Sequence, residues 1–209
     1  MPNNTSNLDH KNKLTQQQSL SLKLMIRAIV KKIIILPLVI LDVIGSIYSS
    51  LLKRYNANLG YIWFDKQEQK ISKQITQVAH AVNGHIYNFK FYTPNWICRY
   101  RANTFSVKEP ETLAWIDLNG GDGAFFDIGA NVGLYSIYYG KTKTGNVYAF
   151  EPSAFNLALL SKNINANDLQ NKVKIIANPL TEINQFADFN LSTTEPGAAL
   201  SAFGVDYGQ

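Results

Sequence analysis

The sequence predicts an α/β fold built on a parallel sheet, and three observations predict it. Apolar runs of strand length begin at residues 124, 147 and 173, and stretches of helical spacing separate them. A glycine turn, DIGANVG at residues 127–133, follows the first run, and an acid, Glu151, closes the second. Strand, glycine turn, helix, strand, acid is the order of an open sheet whose ligands sit outside the carboxyl ends of the strands.

Residues 1–19, MPNNTSNLDHKNKLTQQQS, are polar and lack aromatics or a sustained period, which predicts a flexible tail. Residues 20–55 turn apolar and predict a helix. Its centre, IIILPLVILDVIGSIYSSLL at 33–52, has the twenty residues that a bilayer requires. Against a span, Asp42 costs about 2.5 to 3.5 kcal/mol on insertion scales, and Pro37 and Gly45 add little apolar drive. Three placements stay open: a span, an interfacial helix, and a helix packed on the domain or on a partner. Lys23, Arg27, Lys31 and Lys32 precede the apolar centre, and Lys53 and Arg54 follow it. That bracket suits an anionic membrane surface better than a nucleic-acid groove. A cleaved signal peptide fits poorly, because the apolar stretch starts late and no small-residue cleavage site follows it.

Residues 56–84 read as a linker with a short helix, ending in the turn chemistry of Asn83-Gly84. Residues 86–92, IYNFKFY, alternate aromatic and polar side chains as a half-buried strand does, with the aromatics serving as core rather than as a substrate platform. Pro110 opens a helix with Glu109 and Glu111 at its positive end, Leu113 and Ile116 on its inward face, and Asn119-Gly120 at its stop.

The turn at 127–133 carries the chemistry. Gly129 and Gly133 remove Cβ atoms where the backbone must turn and approach a ligand, and Glu151, 22 residues after Gly129, is placed to accept hydrogen bonds from two ribose hydroxyls. The third glycine of a dinucleotide turn is missing, and Asp127 at the head of the turn would repel a pyrophosphate. A nucleoside cofactor that is cationic and free of phosphate suits this pattern, and S-adenosyl-L-methionine is such a molecule. A nicotinamide-dependent dehydrogenase fits it less well.

After Glu151, Ser153 caps a helix whose Phe155, Leu159, Leu160 and Ile164 recur at helical spacing. Residues 173–177 form a third parallel strand, with right-handed crossovers returning each helix to the sheet. Residues 186–191 read as a weaker fourth strand, and the chain after Thr193 reads as loop.

DIGANVGLYS, VYAFEPS and LLSKNINAND, with RANTFSVKEPETLAWID before them, resemble the first half of the FkbM-type methyltransferases over roughly residues 89–204. The resemblance implies a Rossmann-like class I methyltransferase fold of three layers, α/β/α, over residues 85–209, preceded by the apolar helical segment. It implies S-adenosyl-L-methionine as cofactor, held by Asp127, Gly129, Ala130, Asn131, Gly133, Glu151 and Pro152. It also implies O-methylation of a sugar, glycan, lipid or related small-molecule acceptor. By the same resemblance Glu109 is a candidate cofactor or substrate contact, although helix capping accounts for it as well. Tyr135 and Ser136 are candidates for the methionine end of the cofactor, and first-turn packing explains them equally. The family continues with a K-I-D-x-x-G segment near its reaction centre. None occurs here, so the domain is expected to be incomplete at its C-terminal side, and no general base is assigned.

Composition narrows the classes. Residues 1–120 hold 15 Lys and Arg against 7 Asp and Glu, and residues 121–209 hold 5 against 8, so a basic half of +8 precedes an acidic half of −3. The basic half faces something other than the cofactor, and no nucleic-acid partner is expected. Cys98 is the single cysteine, which excludes an internal disulfide and a C-x-x-C motif. His10, His80 and His85 form no metal-binding spacing, so no protein metal site is expected. The expected location is the cytoplasm, with a membrane surface one of the placements open to the segment at 20–55. The competing reading is a non-catalytic, membrane-associated binding protein or remnant on a truncated methyltransferase half-fold.

Overall fold

The computed structural model describes residues 5–205, with side chains from residue 20 onward. The chain divides into two units, Met1–Gln67 and Glu68–Gln209. The first four residues of the expected tail lie outside the described residues.

The first unit is dominated by α1, Thr5–Tyr55. Residues 5–19, read from sequence as a flexible tail, are drawn into this helix. Its leucines, lysines and glutamines are good helix formers, and no glycine or proline intervenes before Pro37. Lys53 and Arg54 occupy its last turn, where cations meet the negative end of the dipole. A 3-10 turn at Leu59–Tyr61 leads to α2, Ile62–Ser72. Within this unit Trp63 lies against α1 at Gly45, where a Cβ atom would overlap the indole. Among the described residues no helix is long and apolar enough to cross a membrane. Pro37 and Asp42 interrupt the apolar run of α1.

The second unit opens with an antiparallel hairpin, β1 (Ile75–Val82) and β2 (His85–Tyr92), in register from Ile75↔Tyr92 to Val82↔His85. Its turn places Asn83 and Gly84 both at positive φ, the geometry that matches the twist of a two-residue hairpin. The sequence predicts a linker over residues 75–82, and the structure places β1 there instead. Their inward side chains are Thr76, Val78, His80 and Val82, and two polar residues among four hide the strand period. Those polar groups are satisfied: Thr76 meets Thr93 at 3.0 Å, and His80 Nδ1 lies 2.8 Å from Ser106 Oγ.

Two helices lead to the parallel sheet. The first, α3 (Trp96–Asn103), is capped by Asn95, whose side chain accepts from the Cys98 amide at 2.9 Å. The second, α4 (Pro110–Asn119), starts on Pro110 and buries Leu113 and Ile116. The sheet itself is β3 (Phe125–Ile128), β4 (Val147–Phe150) and β5 (Val173–Ile176), side by side in that order and all parallel. The crossovers are α5 (Leu134–Thr142) and α6 (Ala154–Ala166). Because the strands are added in one direction, right-handed crossovers put both helices on the same face.

That face is the core. Val147, Ala149, Ile137, Tyr138 and Leu160 are buried there with Phe89 and Phe91 of the hairpin. Phe89, Phe105 and Tyr138 form an aromatic cluster with ring centroids 5.2 to 5.8 Å apart. On α6, Asn163 accepts from the Tyr92 amide at 2.7 Å, and Asn167 bonds both the amide and the carbonyl of Lys90. These two side chains serve the hairpin edge as a neighbouring strand would.

The opposite face of the sheet differs from the three-layer expectation. Phe126 and Ile128 are 57% and 67% exposed, and Phe126 stacks on Tyr148 and Phe150 at 5.3 and 6.1 Å. Among the described residues the sheet therefore has helices on one side only. The expected fourth strand is shorter than read: β6, Phe189–Asn190, pairs antiparallel with β7, Ala202–Phe203, in a region read as loop.

Candidate functional site

The turn after β3 is built from three positive-φ residues, Gly129, Asn131 and Gly133. Gly129 and Gly133 accept this geometry at no steric cost, and asparagine tolerates it better than most side chains. At Gly133, which caps α5, a Cβ would also overlap Leu160; at Gly129 it would meet nothing.

Every amide of the turn is committed. Gly129 and Ala130 both donate to the Phe150 carbonyl at 2.9 Å, and Gly133 donates to that of Ala130 at 2.8 Å. Asn131 donates to Glu151 Oε2 at 2.7 Å, and Val132 to Asn131 Oδ1 at 2.9 Å. Glu151 receives a second amide, that of Ser153, on Oε1 at 2.9 Å, with Asn156 Nδ2 at 3.4 Å. Its carboxylate is thus buried and fixed at the end of β4.

Two cavities flank the turn. The larger, about 270 Å³, is lined by Glu151, Pro152, Gly129 and Asn131 together with apolar walls from Ile128, Phe150 and Leu180. The smaller, about 80 Å³, lies on Gly129, Ala130 and Asn131 and is ringed by Arg101, Lys108, Glu109 and Tyr135. The Tyr135 hydroxyl donates to Glu109, and that bond, with help from Lys108, holds the Glu109 carboxyl below its usual range. Burial, with the Glu109 carboxylate adding to it, pushes the Tyr135 phenol above its ordinary value.

Five of the seven sequence-predicted residues therefore line a cavity, and two do not. Asp127 is buried in β3 and accepts from Ser136 Oγ at 2.5 Å. Burial raises its pKa, the Ser136 bonds oppose that rise, and the Glu151 charge adds to it. Gly133 is a packing position against Leu160. Ser136 likewise stands behind the turn, as a partner of Asp127.

The sequence does not point to the segment 195–201, of which residues 198–201 form one wall of the larger cavity. The Ala198 carbonyl accepts from both Asn131 Nδ2 and Asn156 Nδ2, at 2.6 and 3.3 Å. Arg101 Nε donates to the Gly197 carbonyl at 2.6 Å, and the buried Cys98 thiol to that of Pro196 at 3.2 Å. Burial pushes that thiol up to about 11, so Cys98 is a packing group rather than a nucleophile. Among the described residues no group of three or more His, Cys, Asp or Glu side chains could hold a metal ion.

No protein-family model matches the chain, and no curated protein matches it at a significant level. Among solved structures it is similar to the transferase candidate PH0793 of Pyrococcus horikoshii, at 19% identity and a TM-score of 0.27 over 50% of this chain. It is also similar to Trm5 of Methanocaldococcus jannaschii in complex with adenosine, at 23% identity and a TM-score of 0.32 over 54% of this chain. A third similarity is to aTrm5 in its complex with tRNALeu, at 23% identity and a TM-score of 0.31 over 54% of this chain. The chain spans only 37%, 32% and 31% of those proteins. At such scores these likenesses carry no argument about activity or substrate.

Proposed function

We propose that the chain binds S-adenosyl-L-methionine and belongs to an FkbM-type methyltransferase, with a hydroxyl of a sugar, glycan, lipid or related metabolite as acceptor. The observation that carries this reading is the saturation of the turn. In a dinucleotide site the free amides of the glycine turn cradle phosphate. Here all five amides from Gly129 to Gly133 are bonded within the protein, and two buried carboxylates stand beside them. The site favours a ligand without phosphate and with positive charge.

The donor set fits the proposed cofactor. Glu151 suits the two ribose hydroxyls, and Ile128, Phe150 and Leu180 suit an adenine ring. The smaller cavity offers Arg101 and Lys108 to a carboxylate and Glu109 to an ammonium group. When bound, the cofactor supplies an electrophilic methyl group on a sulfonium. The chain's part is to hold that donor in one orientation, since a fixed geometry converts a bimolecular step into an effectively unimolecular one.

Calorimetric titration of the full chain with S-adenosylhomocysteine and with NAD tests the reading. Micromolar binding of the first, weakened about 10- to 100-fold by Glu151→Ala through loss of charge-assisted hydrogen bonds, is the expected result. Tighter binding of NAD, or no nucleoside binding by a chain that still melts cooperatively, would contradict it.

A second reading, a non-catalytic donor-binding protein, is favoured by the open sheet face at Phe126 and Ile128. Parallel sheets are normally covered on both faces, so this one is built to receive further structure. Binding without methyl transfer to any hydroxylated acceptor would favour this second reading.

A further inference from the structure

In the first unit α1 exposes its apolar side chains along nearly its whole described length, from Leu20 at 60% to Leu51 at 57%. An exposed apolar surface of this extent marks a site of interaction. The pattern around the helix shows what kind of cover it fits. Lys23, Arg27, Lys31, Asp42, Ser46 and Lys53 follow one another at spacings of 4, 4, 11, 4 and 7 residues, each close to a whole number of helical turns. They make a polar stripe along one side, about 140° wide and interrupted by the exposed Ile34, Ile35 and Leu38 between Lys31 and Asp42. Leu22, Ile26, Ile33, Ile40, Ile44 and Leu51, at spacings of 4, 7, 7, 4 and 7, make the opposite side wholly apolar.

Trp63 provides an independent observation. It packs on α1 at Gly45, and Ser49, one turn further, is buried. Both positions lie on the polar stripe, beside Asp42 and Ser46. The unit's own cover is therefore spent on the polar side, and the apolar side is left open. A helix packed as core would do the reverse.

We propose that α1 lies in the surface of an anionic lipid bilayer, with its apolar side in the acyl boundary and its basic stripe among the headgroups. Charge complementarity selects this occupant. Lys23, Arg27, Lys31 and Lys32 cluster at one end of the apolar stretch and Lys53 and Arg54 at the other, so anionic headgroups meet cations at both ends. Asp42 lies on the stripe facing water, which removes the insertion cost that it would bear in a span.

Vesicle flotation of the full chain tests this. It is run with phosphatidylcholine alone, with phosphatidylcholine plus phosphatidylserine, and at low and high salt. The expected result is flotation with the anionic vesicles and its loss at high salt. Joint Lys23→Glu, Arg27→Glu and Lys31→Glu substitution should lower partitioning roughly a hundredfold or more, at roughly fivefold per basic residue. Ile33→Asp with Ile40→Asp should also release the chain. All five positions are exposed, so an unchanged thermal melt distinguishes lost lipid contact from lost folding. Equal flotation with neutral vesicles, or a charge-reversed chain that floats as before, would overturn the proposal. A wild-type chain that stays off both vesicles as a discrete oligomer would overturn it too, and would assign the apolar side to a second copy.

Discussion

Gly129 and Gly133 look alike in the sequence and do different work. Both have positive φ, but only Gly133 meets a side chain where its Cβ would be. Gly133→Ala should cost about 2–4 kcal/mol, combining left-handed strain with overpacking against Leu160. Gly129→Ala should cost only the strain, about 1–2 kcal/mol, while weakening ligand binding more than Gly133→Ala weakens it per unit of stability lost. Urea denaturation and titration of both variants measure the contrast. Asp127 makes a second residue-scale prediction. Its folded pKa is raised, so the folded chain holds an extra proton between the ordinary carboxylate value and the raised one. Stability should therefore fall as pH rises through that window. Asp127→Asn cannot ionise, so its stability should stay flat through that window, as read from urea denaturation of both chains across pH.

At the scale of elements, α6 holds the unit together through Asn163 and Asn167 as much as through its leucines. Asn163 is fully buried, accepts from the Tyr92 amide and donates to the Val132 carbonyl at 2.8 Å. Asn163→Ala leaves both groups without a partner and should cost about 2–4 kcal/mol, measured as a shift of the denaturation midpoint at constant slope. Legibility in the sequence follows the same division. The strands β3, β4 and β5 read clearly because their apolar runs are short and punctuated. The hairpin strand β1 did not, because Thr76 and His80 point inward and break the alternation, and their partners Thr93 and Ser106 lie 17 and 26 residues away. Helix α1 was read from residue 20, since the polar residues 5–19 show no period, although nothing in them stops a helix.

For the molecule as a whole, the site was half legible. Gly129 and Glu151 follow from the order of strand, turn, helix and strand, because that order brings the ends of β3 and β4 together. The wall at 198–201 is not legible in the sequence, because it reaches the site only through tertiary bonds such as Asn131 to Ala198, 67 residues apart. Arg101 was equally hidden on a helix that only its Asn95 cap announces. What the fold creates, beyond the pattern, is a turn with no free amide and two cavities on either side of it. The central claim is that this arrangement holds a phosphate-free nucleoside with an amino-acid arm. A crystal structure of the full chain with S-adenosylhomocysteine tests it most directly. The account predicts ribose hydroxyls on Glu151, the base against Phe150 and Ile128, and the amino-acid arm toward Arg101 and Glu109. Ligand density elsewhere, or empty cavities at saturating ligand, would contradict it.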